Sequence, residues 1–292
     1  MNQNPNFSFS FPAKSWRELR RFLENQGVEL KETPKGIQAR FEDTVISWFN
    51  TGKLLLQGKG ASDFAEELYV RGWLKTRLSG KQEPRIGVDE AGKGDYFGPL
   101  VVAGALVAPE QEHILVRLGV RDSKTISLNL VQKLAKELET ILVHSKVVIN
   151  PLRYNQLHQG MGNVNRIMGW AHARVIENVL ENHSVKLAIS DQFGDEEYIK
   201  EALLERGKKI HLIQKPGGEK DLAVASASII ARGEFLNRLE GLSKKAGILL
   251  PRGAGEEVIE AGRQLLKKLG REGLEEFAKI HFQTSKKIWG DG

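Results

Sequence analysis

Residues 86–95 read Ile86-Gly87-Val88-Asp89-Glu90-Ala91-Gly92-Lys93-Gly94-Asp95. An apolar run, predicted as a strand over 85–89, delivers two adjacent carboxylates to its C-terminal end, and a glycine-flanked lysine follows at once. In open α/β sheets, ligands sit outside the carboxyl ends of the strands. Hard cations such as Mg²⁺ take carboxylate oxygens and keep waters and substrate phosphates as their other ligands. Gly92 and Gly94 lack a Cβ, so their backbone can approach a sugar or phosphate, and Lys93 can reach a phosphate. The same residues also read as a strand end followed by a solvated polar turn, so the rest of the chain must decide.

Three further segments bear on that choice. Val185-Lys186-Leu187-Ala188-Ile189-Ser190-Asp191 is a second apolar strand ending in an aspartate, which can stand beside Asp89 or simply cap a turn. Gly217-Gly218-Glu219-Lys220-Asp221 precedes a helix rich in small residues, Leu222 to Arg232. Either acid suits a helix start, and because 219 and 221 lie on different helix faces, one of them is expected to enter the site. Arg121-Asp122-Ser123-Lys124 precedes a helix beginning near Ser127, which places Ser123 and Lys124 at a phosphate-binding helix N-terminus or in a capping loop.

Outward from these segments, strands and helices alternate. Strands are predicted over 85–89, 99–109, 142–149, 185–191 and 209–214, with helices over 128–141, 163–181 and 195–206 and from about 221 onward. This pattern gives a mixed sheet with helices packed on it. The first 80 residues differ. Trp16, Leu19, Phe22 and Leu23 recur at helical spacing over 12–26, four alternating runs follow between turn signals, and a second helix spans 61–71. Ser79-Gly80-Lys81-Gln82-Glu83-Pro84 is the linker candidate. The expected domains are therefore 1–80, a small α+β meander, and 81–292, an α/β catalytic domain with C-terminal helices.

Composition narrows the function. With 292 residues, two domains are the natural expectation. The chain has no cysteine, which excludes disulfides and Cys-ligated zinc and suits a reducing cytoplasm. No apolar run approaches the ~20 residues of a membrane span. The formal charge of +6 favours a polyanionic partner. A dinucleotide G-x-G-x-x-G fails after Asp89 because Gly98 falls one place late, and no Walker-type phosphate loop occurs. The histidines show no metal-ligand pair at helical spacing, so His158 and His172 are expected to be structural or to support a metal ligand.

The segments Asp89 to Leu100, Asp122-Ser123-Lys124, Asp191, Leu222 to Arg232 and Lys279-Ile280-His281-Phe282 together resemble the bacterial ribonuclease HIII family, a relative of ribonuclease HII. The resemblance spans essentially the whole chain. It implies an α/β RNase H-like mixed sheet with flanking helices, preceded by a TATA-box-binding-protein-like domain. It implies four metal-site carboxylates, Asp89, Glu90, Asp191 and Glu219, with Asp221 the alternative for the last. It also implies a lysine-bearing Gly92-Lys93-Gly94 loop suited to runs of ribonucleotides, where the HII enzymes carry Gly-Arg-Gly.

The implied activity is endonucleolytic hydrolysis of the RNA strand of RNA/DNA hybrids, leaving 5′-phosphate and 3′-hydroxyl ends. Two divalent ions, Mg²⁺ or Mn²⁺, roughly 4 Å apart, would bridge the carboxylates and the scissile phosphate. Discrimination of RNA from DNA must read the 2′-hydroxyl. The alternatives are incision at single embedded ribonucleotides and non-catalytic hybrid binding. A monomer is expected. Trp48, Lys53 and Lys59, on or beside an uncovered sheet face of the first domain, are candidates to hold nucleic acid. The other reading is that the lysines solubilise a surface and Trp48 belongs to the core.

Overall fold

The computed structural model describes residues 6–74, 83–120, 123 and 126–290. Lys124, with Arg121 and Asp122, lies outside them, as does 79–82 of the proposed linker. The chain divides into two compact units, 1–82 with 109–117, and 83–108 with 118–292.

The first unit contains β1 (Asn6–Ser10), α1 (Ala13–Asn25), β2 (Leu30–Thr33), β3 (Gly36–Phe41), β4 (Thr44–Phe49), β5 (Lys53–Gln57) and α2 (Ala61–Val70). All its strands are antiparallel, in the order β1-β5-β4-β3-β2. Period-two alternation sends Ala39, Ile46, Leu54 and Leu56 to one face, where they pack with Trp16, Leu19 and Leu23 of α1 and Phe64 and Leu68 of α2. β1 was not expected from the sequence. Its Phe7 and Phe9 alternate onto this same core, and it pairs with β5, more than 40 residues away.

Trp48 shares the parity of Ile46 and stacks on Trp16 with ring centroids 4.9 Å apart, and its Nε1–H donates to the Phe11 carbonyl at 3.4 Å. Such a stack contributes about 1 kcal/mol. Trp48, one of the candidates to hold nucleic acid, thus has its ring engaged on the core side. The opposite face presents Lys31, Arg40 and Lys53 among Asn6, Ser8, Gln38, Ser47 and Gln57, and none of the strand residues on it is a carboxylate.

The second unit begins with β6 (Arg85–Ala91) and β7 (Leu100–Val107). Most of α3 (Glu112–Leu118) groups with the first unit. Then come α4 (Leu128–Ile141), β8 (Val143–Ile149), α5 (Pro151–Met161), α6 (Val164–Leu180), β9 (Leu187–Asp191), α7 (Glu197–Lys200), β10 (His211–Lys215), α8 (Leu222–Ala246), α9 (Glu256–Glu275) and α10 (Gln283–Trp289). The sheet order is β10-β9-β6-β7-β8, with β10, β9 and β6 mutually parallel and β7 antiparallel to both its neighbours.

Small residues decide how closely the helices lie. A Cβ on Gly87 would meet the Ala223 backbone at 2.0 Å, so α8 crosses that face of β6 almost in backbone contact. Gly104, paired with Val88, faces Val175 of α6 on the other side. The helix expected over 195–206 shrinks to the single turn of α7. Glu177 of α6 accepts the Leu204 and Gly207 N–H groups at 2.7 and 2.8 Å, offering that backbone partners outside a helix. No described helix is long and apolar enough to cross a membrane.

Candidate active site

β6 and β9 run in parallel, and their last paired residues are Val88 and Ser190. Asp89 and Asp191 each follow that pair directly, so they stand side by side on adjacent strands at the carboxyl edge of the sheet. Alternation along β6 then separates its two acids. Asp89 has the parity of Gly87 and turns toward α8, where the Ser228 hydroxyl favours its charged form. Glu90 has the parity of Val88 and turns toward α6, where the fully buried His172 brings Nε2 to 3.4 Å from Oε2. The other ring nitrogen, Nδ1, lies 3.1 Å from Ser190 Oγ, which anchors the imidazole to β9. Asp191 Oδ1 accepts the Gly218 N–H at 2.9 Å, tying β9 to the 3-10 turn Gly218–Lys220.

These acids line a cavity of about 290 Å³ together with Gly92, Lys93, Gly94, Asp95, Ser123, Ser228, Arg232, Phe235 and Arg252. Burial, then the Glu90 and Asp191 charges, push the Asp89 carboxyl up to about 8. Burial also pushes Glu90 up, but His172 and Lys93 outweigh it and hold that carboxyl below its ordinary value. Glu90 Oε2 is buried without a well-aligned hydrogen bond, with His172 Nε2 at 3.4 Å. A buried oxygen lacking a donor, beside two more carboxylates, is a donor set that suits a hard divalent cation. Among the described residues, however, no three acidic or histidine side chains converge closely enough to hold one ion as they stand.

The two candidates for the fourth acid differ in what engages them. Asp221 is the N-cap of α8, accepting the Ala223 N–H at 2.8 Å, and it grips Arg85 Nε with both oxygens at 2.8 and 3.0 Å. Glu219 sits half-exposed in the 3-10 turn, with no hydrogen-bond or ion-pair partner among the described residues, and does not line the cavity.

The loop after β6 divides by role. Gly92 has φ +87, and a Cβ there would meet the Pro99 carbonyl oxygen at 2.2 Å, so this glycine serves the fold. Nothing lies within 4 Å of a Cβ built on Gly94, whose open side faces the cavity. Lys93 Nζ sits 5.6 Å from the Phe193 ring centroid. Ser123 is buried, its hydroxyl 2.9 Å from that of Ser228. Ser228 and Arg232 are one helical turn apart in a segment the sequence singled out, so their spacing carried a signal. Arg252 comes from the loop before α9 and carried none. Lys53 and Lys59 belong to the first unit and are exposed, and Lys59 borders a concavity of about 740 Å³ there with Arg40, Asn6, Asp43, Val45, Gln57 and Gly58. Though larger, that concavity has two cations and one acid, which suits an anion better than catalysis.

The sequence profile of the family described as Ribonuclease HII matches residues 86–285. The chain is 35% identical over 298 residues to the ribonuclease HIII of Protochlamydia amoebophila (strain UWE25), covering 99% of each chain. It is 36% identical over 294 residues to that of Chlamydia pneumoniae, covering 97% of this chain and 98% of the relative. The crystal structure of Bst-RNase HIII in complex with Mn²⁺ superposes with a TM-score of 0.68 at 29% identity, covering 98% of each chain, and carries an RNase H-like fold. With the family profile and the full-length likeness in agreement, the chain belongs to the ribonuclease HII family, on its ribonuclease HIII side.

Proposed function

We propose that this protein is an endoribonuclease that hydrolyses the RNA strand of RNA/DNA hybrids, leaving 5′-phosphate and 3′-hydroxyl ends. The observation that carries the reading is the meeting of Asp89, Glu90 and Asp191 at one sheet edge, in a cavity rimmed by Lys93 and Arg252. Asp89, Glu90, Asp191 and Glu219 would hold two divalent ions, Mg²⁺ or Mn²⁺. Bound there, such ions supply activation of a water nucleophile and charge stabilisation of the leaving 3′ oxygen. Glu219 is the acid free to join them, because Asp221 is committed to Arg85 and to the α8 cap.

The chain's own residues set the stage. His172 aims the Glu90 carboxylate, Ser228 steadies Asp89 and the Gly218 N–H steadies Asp191. Lys93 and Arg252 offer positive charge to the phosphates on either side of the scissile bond. Gly94, open on its cavity side, lets the loop backbone approach a ribose 2′-hydroxyl. Residues 1–80 hold the hybrid through the open sheet face of Lys31, Arg40 and Lys53, with Lys59 beside it, and residues 81–292 cut it. The protein acts as a cytoplasmic monomer, a setting that suits a chain without cysteine.

The test separates binding from chemistry. Asp89→Asn and Asp191→Asn should abolish cleavage of a labelled hybrid while leaving its Kd nearly unchanged. Near-normal turnover in either variant removes that acid from its assigned role.

A further inference from the structure

The loop joining β6 to β7 has an open stretch, Lys93 and Gly94, at the cavity and a clamped stretch, Asp95–Gly98, beneath it. The clamp comes from the far end of the chain. The Gly98 N–H donates to the Phe277 carbonyl at 2.9 Å and the Lys279 N–H to the Tyr96 carbonyl at 2.9 Å, and Phe97 and Ala278 form an isolated antiparallel bridge. The Tyr96 N–H donates to the Gly253 carbonyl at 2.8 Å, and Asp95 Oδ1 accepts the Gly253 N–H at 2.6 Å. At the centre is Lys279, whose side chain is fully buried and whose Nζ donates to the Gly98 carbonyl at 2.6 Å.

A buried amine is a costly way to fill this space. Burial brings its pKa down to about 7, only partly opposed by Asp95, and the Tyr154 ring lies 5.9 Å away. A methionine would fill a similar volume with no such penalty. What the amine adds is one directed bond to the carbonyl at the base of the loop.

We propose that Lys279 is a positioning residue for hybrid cleavage, fixing the Gly92-Lys93-Gly94 segment against the cavity by holding the Gly98 carbonyl from below. This rests on the reading that the segment contacts the substrate. Of the acids assigned to the metal site, Asp89, Glu90 and Asp191 stand on β6 and β9 against α6, α8 and the Gly218 turn, and Glu219 stands on that turn, so loosening the loop leaves them in place. A displaced loop instead costs turnover, because small misplacements of a substrate-holding group lower rates steeply.

The experiment compares full-length Lys279→Met, which removes the donor, with Lys279→Gln, which retains one. Hybrid cleavage is measured well below each melting temperature and corrected to the folded fraction, and Mn²⁺ affinity is measured by calorimetry. The expected result is a kcat loss of about tenfold or more in Lys279→Met, Mn²⁺ affinity unchanged, and partial recovery in Lys279→Gln. Wild-type kcat and KM in folded Lys279→Met would overturn the proposal. Failure of Lys279→Met to fold beside a fully active Lys279→Gln, or failure of both to fold, would also overturn it, making the amine purely structural. Gly94→Ala, which meets no neighbour in the fold, separates the two readings. If Gly94→Ala is impaired and Lys279→Met is normal, only the Lys279 proposal falls; if both are normal, the loop is not a substrate contact.

Discussion

At the scale of single residues, the account turns on Asp89, an acid buried where its charge is unwelcome until a cation arrives. Its carboxyl is raised from 3.8 to about 8 by burial and by the Glu90 and Asp191 charges. An acid with a raised folded value favours the fold most when protonated, so this contribution is full below about pH 4 and is lost as pH climbs toward about 8. In a chelating buffer, the melting temperature of wild type relative to Asp89→Asn should therefore fall as pH rises from 5 to 8. Adding Mg²⁺ or Mn²⁺ at pH 8 should raise the wild-type melting temperature and leave the variant nearly unmoved. A wild-type profile as flat as the variant's would contradict the electrostatic picture. The sequence displayed Asp89, Glu90 and Asp191 plainly, because each ends an apolar strand. It did not display His172 as the partner of Glu90, since that pairing depends on which sheet face α6 covers. Trp48 was open to two readings, and strand parity with Ile46 decided for the core.

At the scale of elements, the N-terminus of α8 separates two acids that the sequence left as alternatives. Asp221 carries stability and Glu219 does not. Asp221→Ala removes a helix cap and one carboxylate partner of the buried Arg85, at a cost of about 3 kcal/mol. Urea denaturation should show that loss, with cleavage per folded molecule largely kept. Glu219→Gln should leave the denaturation midpoint in place and lower cleavage sharply. The reverse pattern would make Asp221 the fourth ligand. Strongly periodic elements such as α1, α4 and α6 were legible in the chain. β1 was not, because its pairing with β5 is long-range and its Phe7 and Phe9 look like a polar leader with stray aromatics. α5 was missed as well, although Pro151 at its start and Gly162 with φ +65 at its end are both local signals. The 195–206 helix was overcalled because the carboxylate that diverts its backbone, Glu177, belongs to another element.

At the scale of the whole molecule, we propose that the two units divide the work of holding and cutting a polyanion. On the open sheet face of the first unit, Lys31, Arg40 and Lys53 stand with no strand carboxylate beside them on that face. If each meets a phosphate, changing all three to Ala should weaken hybrid binding and reduce the magnitude of the slope of log K against log salt by about 2–3. An unchanged slope would give that face some other role. The central claim, a metal-dependent nuclease acting on runs of ribonucleotides, is tested most directly by one cleavage assay. Uniform RNA/DNA hybrid is set beside a DNA duplex bearing one embedded ribonucleotide, each with Mg²⁺, with Mn²⁺ and with chelator. The account predicts cleavage of the uniform hybrid in the presence of a divalent ion, 5′-phosphate products, little incision of the single-ribonucleotide duplex and no reaction in chelator. Tight hybrid binding without cleavage under any metal, or equal incision of both substrates, would contradict it.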